Sequence, residues 1–175
     1  VTTLPVADAA QPDGDGRWRQ RTITWHRPLR PDQVAGLTGL EVLRAIRDGA
    51  LPPPPMASVF GFRITDVDPG RVVFECEPDE SSYNPLGVVH GGLVCTLADS
   101  VTGCAVHSML PAGVSYTSID VAVSYLRAVT ADSGTLRAIG TTTKVGRRVG
   151  FAEATIEDGA GRLVATATSS LLVIS

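Results

Sequence analysis

Apolar residues along this chain follow two periods. Phe62, Ile64 and Val67, then Val72, Phe74 and Cys76, supply the apolar positions on either side of Pro69-Gly70. That pattern predicts a hairpin of two strands, Phe60 to Asp68 and Arg71 to Glu77. From Gly91 the period lengthens. Leu93, Leu97 and Val101 recur at helical spacing, and no proline intervenes before Pro111. Nearly every residue of this run to Leu110 is apolar or small, the signature of a helix buried on all sides. Alternation then returns. Ile119, Val121, Val123 and Tyr125 alternate with Asp120, Ala122 and Ser124 in a long strand from Tyr116 to Val129. Strands from Gly134 to Val145, Val149 to Glu157 and Arg162 to Ile174 follow, broken by Gly146-Arg147-Arg148 and by the turn Asp158-Gly159-Ala160-Gly161. A hairpin, a buried helix and a meander of strands predict an α+β fold, with one antiparallel sheet wrapped around one long central helix.

Ahead of the hairpin, Thr38-Gly39-Leu40-Glu41 fits a capping box, a hydroxyl followed three residues later by a carboxylate. Leu40, Leu43 and Ile46 then give an amphipathic helix that Gly49 ends. The prolines from Pro52 to Pro55 predict a stiff extended connector. Residues 1–36 are polar and read as an extension, with the domain proper at 37–175. Within the extension, Arg21 to Trp25 suits either a short strand or a segment docked through Trp18 and Trp25.

Composition narrows the class. The chain has 175 residues, 43% of them hydrophobic, and a formal net charge of −3. One domain with a proper core is expected. Mild acidity gives no electrostatic case for nucleic acid. Asp99 and His107 inside the apolar run argue against a membrane span. The first residues mix Asp, Pro and Gly without the apolar core of a secretory leader, so a cytoplasmic location is expected. Cys76, Cys95 and Cys104 are an odd number and read as reduced thiols. His26, His90 and His107 show no metal-ligand spacing.

A lone carboxylate, Asp99, in the middle of an apolar helix is either satisfied structurally, by Ser100, Thr102 or backbone amides, or kept for chemistry. The loop before it is rich in turn formers, and His90-Gly91-Gly92 offers backbone with little side-chain cover. Asn84-Pro85-Leu86-Gly87-Val88-Val89-His90-Gly91-Gly92, then Leu97-Ala98-Asp99, then Ser118-Ile119-Asp120-Val121 with Tyr125-Leu126-Arg127, resembles the PaaI-type hotdog-fold acyl-CoA thioesterases. The likeness runs from about Leu37 to the C-terminus. It implies a hotdog fold, a dimer or dimer of dimers, a small or medium-chain acyl-CoA substrate, aryl-acetyl groups included, and no metal or separate cofactor, coenzyme A being part of the substrate. It implies Asp99 as the catalytic carboxylate and Gly91 as the backbone donor to the thioester carbonyl. It further implies that Asn84 orients water or carboxylate, that Ser118 positions the water, and that His90 shapes the loop near the carbonyl, with Gly92 beside them in contact with substrate.

The residues are consistent with that chemistry. Gly91 opens the helix, so its N–H is an orphan donor at the positive end of the macrodipole and can stabilise an oxyanion. Asp99 serves as general base for water or as a nucleophile, and the sequence leaves both open. Eight residues of helix separate the two by about 12 Å and roughly 80° of rotation. They cannot act on one carbonyl within one chain, which predicts two antiparallel helices and two shared sites per dimer. Lys144, Arg147 and Arg148 at a strand break are either a solvated loop or the grip on the phosphates of coenzyme A. The alternatives to hydrolysis are a hotdog enoyl-CoA hydratase and a non-catalytic acyl-CoA-binding protein.

Overall fold

The computed structural model describes residues 19–174. Three short helices, α1 (Pro31–Val34), α2 (Gly39–Arg47) and α3 (Pro55–Phe60), lead into the hairpin β1 (Phe62–Asp68) and β2 (Arg71–Cys76). The long helix α4 (Gly91–His107) comes next. Strands β3 (Ser115–Tyr125), β4 (Leu136–Val145), β5 (Val149–Glu157) and β6 (Leu163–Ile174) complete the chain. The six strands form one antiparallel sheet in the order β1-β2-β4-β5-β6-β3, the wrapped-helix arrangement of the hotdog fold.

Helix α4 packs against β2, β4, β5, β6 and β3. It lies close because the strands facing it are paved with small residues. Ala138, Ala152, Ala154, Ala165 and Ala167 are all buried. At Gly140 a methyl group would stand 2.3 Å from the Val101 carbonyl oxygen, so glycine is the side chain that permits this approach. Leu97, Ala98, Val101, Ala105 and Val106 fill the contact from the helix side with no exposure.

Several expectations change in the folded chain. The extended connector ends at Pro54, and Pro55 opens α3 at its first helical position. Proline suits that position because its missing N–H would have no intrahelical partner there. The strands after α4 are not a simple meander. Strand β3 pairs with β6 at the sheet edge, while β4 pairs with β2 and β5. The connection of residues 126–135 has to pass three strand spacings, about 14 Å, well within reach of its length. Residues 21–25 form no strand, and Trp25 is 62% exposed; Trp18 lies outside the described residues. The segment docks instead through Arg21, which donates to the Val59 carbonyl and to Ser81 Oγ. The capping box stands as expected, with Thr38 Oγ1 accepting from Glu41 N–H and Glu41 Oε2 accepting from Thr38 N–H.

Helix α4 is not covered all round. Gly92, Cys95, Thr96, Asp99, Ser100, Cys104 and His107 are half-buried and recur at three- to four-residue spacing, so they form one open stripe along the helix. A single sheet of this size wraps the rest of the circumference and leaves that strip. Among the described residues no helix is long and apolar enough to cross a membrane.

The tight α4–β4 contact gives a direct check. Gly140→Ala forces a methyl against the Val101 backbone, and overpacking of this kind costs about 2 to 3 kcal/mol. The expected result is a lowered urea midpoint with an unchanged slope.

Candidate active site

Asp99 is held by one neighbour. Ser118 Oγ on β3 donates to Asp99 Oδ1 at 2.7 Å. The structural alternatives drop away, because Thr102 Oγ1 donates to the carbonyls of Ala98 and Asp99, not to the carboxylate. Asp99 Oδ2 has no hydrogen-bond partner among the described residues.

A bulge in β3 makes the Ser118 contact possible. The register shifts between Ser118 and Asp120, so Ile119 is the unpaired extra residue. Before the bulge Tyr116 and Ser118 face α4; after it Val121, Val123 and Tyr125 take over. Ile119 is 56% exposed, which corrects its expected place in the apolar alternation. Asp120 is structural: its Oδ1 accepts from Ser170 N–H at 3.2 Å and its carbonyl from Ser169 Oγ at 2.7 Å.

The start of α4 shares out its orphan donors. His90 is the N-cap, and its Nδ1 accepts from Gly92 N–H at 2.8 Å. Gly91 N–H has no partner among the described residues. His90 thus occupies the amide of Gly92 and leaves that of Gly91 for another acceptor. Tyr125 Oη donates to the Gly91 carbonyl at 3.0 Å, and its ring would stand 3.0 Å from a Cβ at Gly91. A side chain at position 91 would require that exposed ring to give by a few tenths of an ångström. Asn84 organises the preceding loop: its Oδ1 accepts from Leu86 N–H at 2.9 Å, and its own N–H donates to the Val88 carbonyl at 2.8 Å.

Asp99 and Ser118 line a cavity of about 540 Å³ together with residues of α2, the proline segment, α3, β1 and β2. Gly91 opens into a different concavity, with Val88, Tyr125 and Arg127. The structure therefore brings Asp99 and Ser118 together, groups Asn84, His90, Gly91 and Gly92 at the helix start, and keeps the two groups apart along α4. Lys144, Arg147 and Arg148 are exposed at the β4–β5 turn and have no acidic partner among the described residues. They lie toward the other end of α4, where Gly150 packs on Val106, and none of them lines the cavity of Asp99.

Sequence reasoning passed over Tyr116, Cys104 and Met56. Tyr116 lies flat on α4 because Gly103 has no Cβ, which would meet the ring at 2.7 Å. Burial holds the Tyr116 hydroxyl well above its usual range, with the neighbouring Cys104 thiol adding to this. Burial likewise pushes the Cys104 thiol up to about 12, the Asp99 charge contributing in the same direction. His107, in the last turn of α4, lies against Tyr116 with ring centroids 5.4 Å apart, and burial lowers its affinity for a proton. The run of small residues in α4, Gly103 above all, was the available signal for a ring packed against it.

Residues 86–165 match the family model described as the thioesterase superfamily. A protein of Halobacterium salinarum named as an esterase is 35% identical over 106 residues, 58% of this chain and 68% of that one. Human acyl-coenzyme A thioesterase 13 is 33% identical over 58 residues, 33% of this chain and 41% of that one. The crystal structure of a phenylacetic acid degradation-related protein from Ralstonia eutropha superposes with a TM-score of 0.68 at 30% identity, over 74% of this chain and 98% of that one.

The buried thiol of Cys76 is open to a chemical check. At about 11 instead of the ordinary 9.0 it carries roughly a hundredfold less thiolate at pH 8. Cys76 is expected to resist iodoacetamide in the folded protein and to react in denaturant, as read by peptide mass.

Proposed function

This chain belongs to the thioesterase superfamily, as a PaaI-type thioester hydrolase of the hotdog fold, and we propose that it cleaves acyl-CoA to the free acid and coenzyme A at two sites shared across a homodimer. The observation that carries this reading is the pair of groups on α4. Among the described residues Asp99 has one oxygen held by Ser118 and one unpartnered, and Gly91 presents an unpartnered N–H about two turns away.

In the shared site, Gly91 N–H of the partner subunit and the positive end of its helix hold the thioester carbonyl oxygen. Asp99 takes a proton from water as the oxygen attacks the carbonyl carbon, or attacks that carbon itself to give an anhydride that water then opens. Collapse of the tetrahedral oxyanion breaks the C–S bond and expels the thiolate of coenzyme A, which takes up the proton. Ser118 keeps Asp99 turned toward the open stripe. Lys144, Arg147 and Arg148 take the phosphates of coenzyme A, since they are cations with no acidic partner among the described residues.

Three observations support the dimer. The spacing of Gly91 and Asp99 along α4 suits a carbonyl gripped by one chain and attacked from the other. The open stripe on α4 suits a second copy of the same helix running antiparallel across a two-fold axis. Strand β3 is 11 residues long and, among the described residues, paired on one side only, with Ile119 and Tyr125 exposed along it and Leu126 just beyond its end. An edge of that length and character calls for a cover.

Free-thiol release from a panel of acyl-CoA esters tests the chemistry. Asp99→Asn is expected to lower kcat by about a hundredfold or more, and binding without release in the wild type would leave an acyl-CoA-binding protein. Sharing is tested by mixing. Gly91→Pro removes the N–H at a first helical position that accepts proline after an extended His90, and the exposed Tyr125 ring can swing off the added carbons. Each variant alone is expected to be inactive, and co-refolded Gly91→Pro and Asp99→Asn chains to recover one working site per heterodimer. No recovery argues against sharing.

A further inference from the structure

The donor at Gly91 sits on the least constrained kind of backbone. Gly91 and Gly92 are consecutive, and glycine gives up more conformational freedom on ordering than any other residue. An oxyanion donor is effective when its direction is fixed before the charge develops. Two side chains supply that fixing, and both act on one planar group, the peptide that joins Gly91 to Gly92. Its carbonyl end accepts from Tyr125 Oη at 3.0 Å. Its N–H end donates to His90 Nδ1 at 2.8 Å. The two glycines are where these side chains lie. An added Cβ would stand 2.9 Å from His90 Nδ1 at position 92 and 3.0 Å from the Tyr125 ring at position 91.

The hold passes from this peptide to the free N–H. Leu93 N–H donates to the His90 carbonyl at 3.0 Å, closing a turn that encloses the Gly91–Gly92 peptide. The His90 carbonyl and the Gly91 N–H are the two ends of the preceding peptide plane. If the enclosed peptide swings, the turn opens and the plane carrying the Gly91 N–H is released. From the other side His90 N–H donates to the Ser82 carbonyl and Val89 N–H to the Val129 carbonyl, each at 2.8 Å. Those bonds anchor the approach to α4 and leave the glycine pair itself to Tyr125 and His90. Tyr125 is the last residue of β3, so its reach to the helix start ties the donor to the sheet. A phenol keeps its proton at neutral pH, its usual pKa being about 10, and so donates here.

We propose that Tyr125 is a positioning residue for the oxyanion donor: together with the His90 cap it clamps the Gly91–Gly92 peptide at both ends and so aims the Gly91 N–H. The inference rests on the acyl-CoA hydrolase reading and adds to it the residue that orders the donor in advance. Donation to the carbonyl and acceptance from the amide of one peptide polarise it in the same sense, so each contact strengthens the other. Loss of either weakens both. Tyr125 needs no contact with substrate for this role.

The test compares Tyr125→Phe, His90→Ala and the double variant with the wild type, by thiol release and by amide hydrogen exchange read by NMR. Tyr125→Phe keeps the ring and loses only the bond to the Gly91 carbonyl. It is expected to lower kcat by about threefold to tenfold, the worth of one hydrogen bond, with KM within about twofold. Exchange at the Gly92 and Leu93 amides is expected to speed up by a similar factor, while amides in the middle of α4 stay as they are. Because both side chains act on one peptide, the double variant is expected to lose less than the product of the two single losses. An unchanged kcat in Tyr125→Phe, a rise in KM alone, losses that multiply, or a loss of activity that follows a loss of the dimer in sedimentation overturns the proposal. Exchange reads the clamp without turnover. Faster exchange in Tyr125→Phe with no thiol release from the wild type therefore removes the hydrolase reading alone, and unchanged exchange at Gly92 and Leu93 removes the clamp.

Discussion

The structure depends on how closely one helix can lie on one sheet. A 17-residue helix with almost no polar face has to be covered, and cover at van der Waals distance requires that the facing strands carry little bulk. The alanines of β4, β5 and β6 and the glycines at 140 and 150 meet that requirement. The same closeness brings β3 near enough for Ser118 to reach Asp99 and for Tyr125 to reach the Gly91 carbonyl. Site geometry here is a by-product of small-residue packing.

A single chain leaves part of α4 open. Its sheet covers all of α4 except one stripe, and on that stripe sit Asp99 and the half-buried residues around it. The energetic defect and the chemical resource are therefore the same feature. An uncovered strip in a hydrophobic helix favours association, and association is what would bring an oxyanion donor within reach of the carboxylate. Asp99 and Met56 line both the cavity walled by Phe62 and Phe74 and the concavity along β3.

Much of this was legible in the sequence where local pattern and tertiary environment agree. The four-residue recurrence of Leu93, Leu97 and Val101 located α4, and the alternation around Pro69-Gly70 located β1 and β2. The strand from Val149 to Glu157 fell at its observed bounds, because glycine turns punctuate it on both sides. Asp99 stood out because a carboxylate in an apolar run contradicts its surroundings. What could not be read was set by distant contacts. Nothing local tells that Pro55 starts a helix instead of extending a connector, or that β3 crosses to the far edge beside β6. Tyr116 and Tyr125 look like ordinary strand residues, and their roles come from Gly103 and Gly91 on another element. The docking of Arg21 has no local signature because its partners, Val59, Asp79 and Ser81, are dispersed in sequence.

The unpaired residue at Ile119 works as a frameshift in space. Upstream of it, even-numbered side chains look inward; downstream, odd-numbered ones do. A strand without that insertion could present either Ser118 to the carboxylate or Tyr125 to the helix start, but not both, since the two differ by an odd number of steps. One surplus residue thus lets a single ribbon serve both termini of the machinery. Sequence change that alters side chains along β3 is tolerable to this arrangement in a way that a change of its length by one is not.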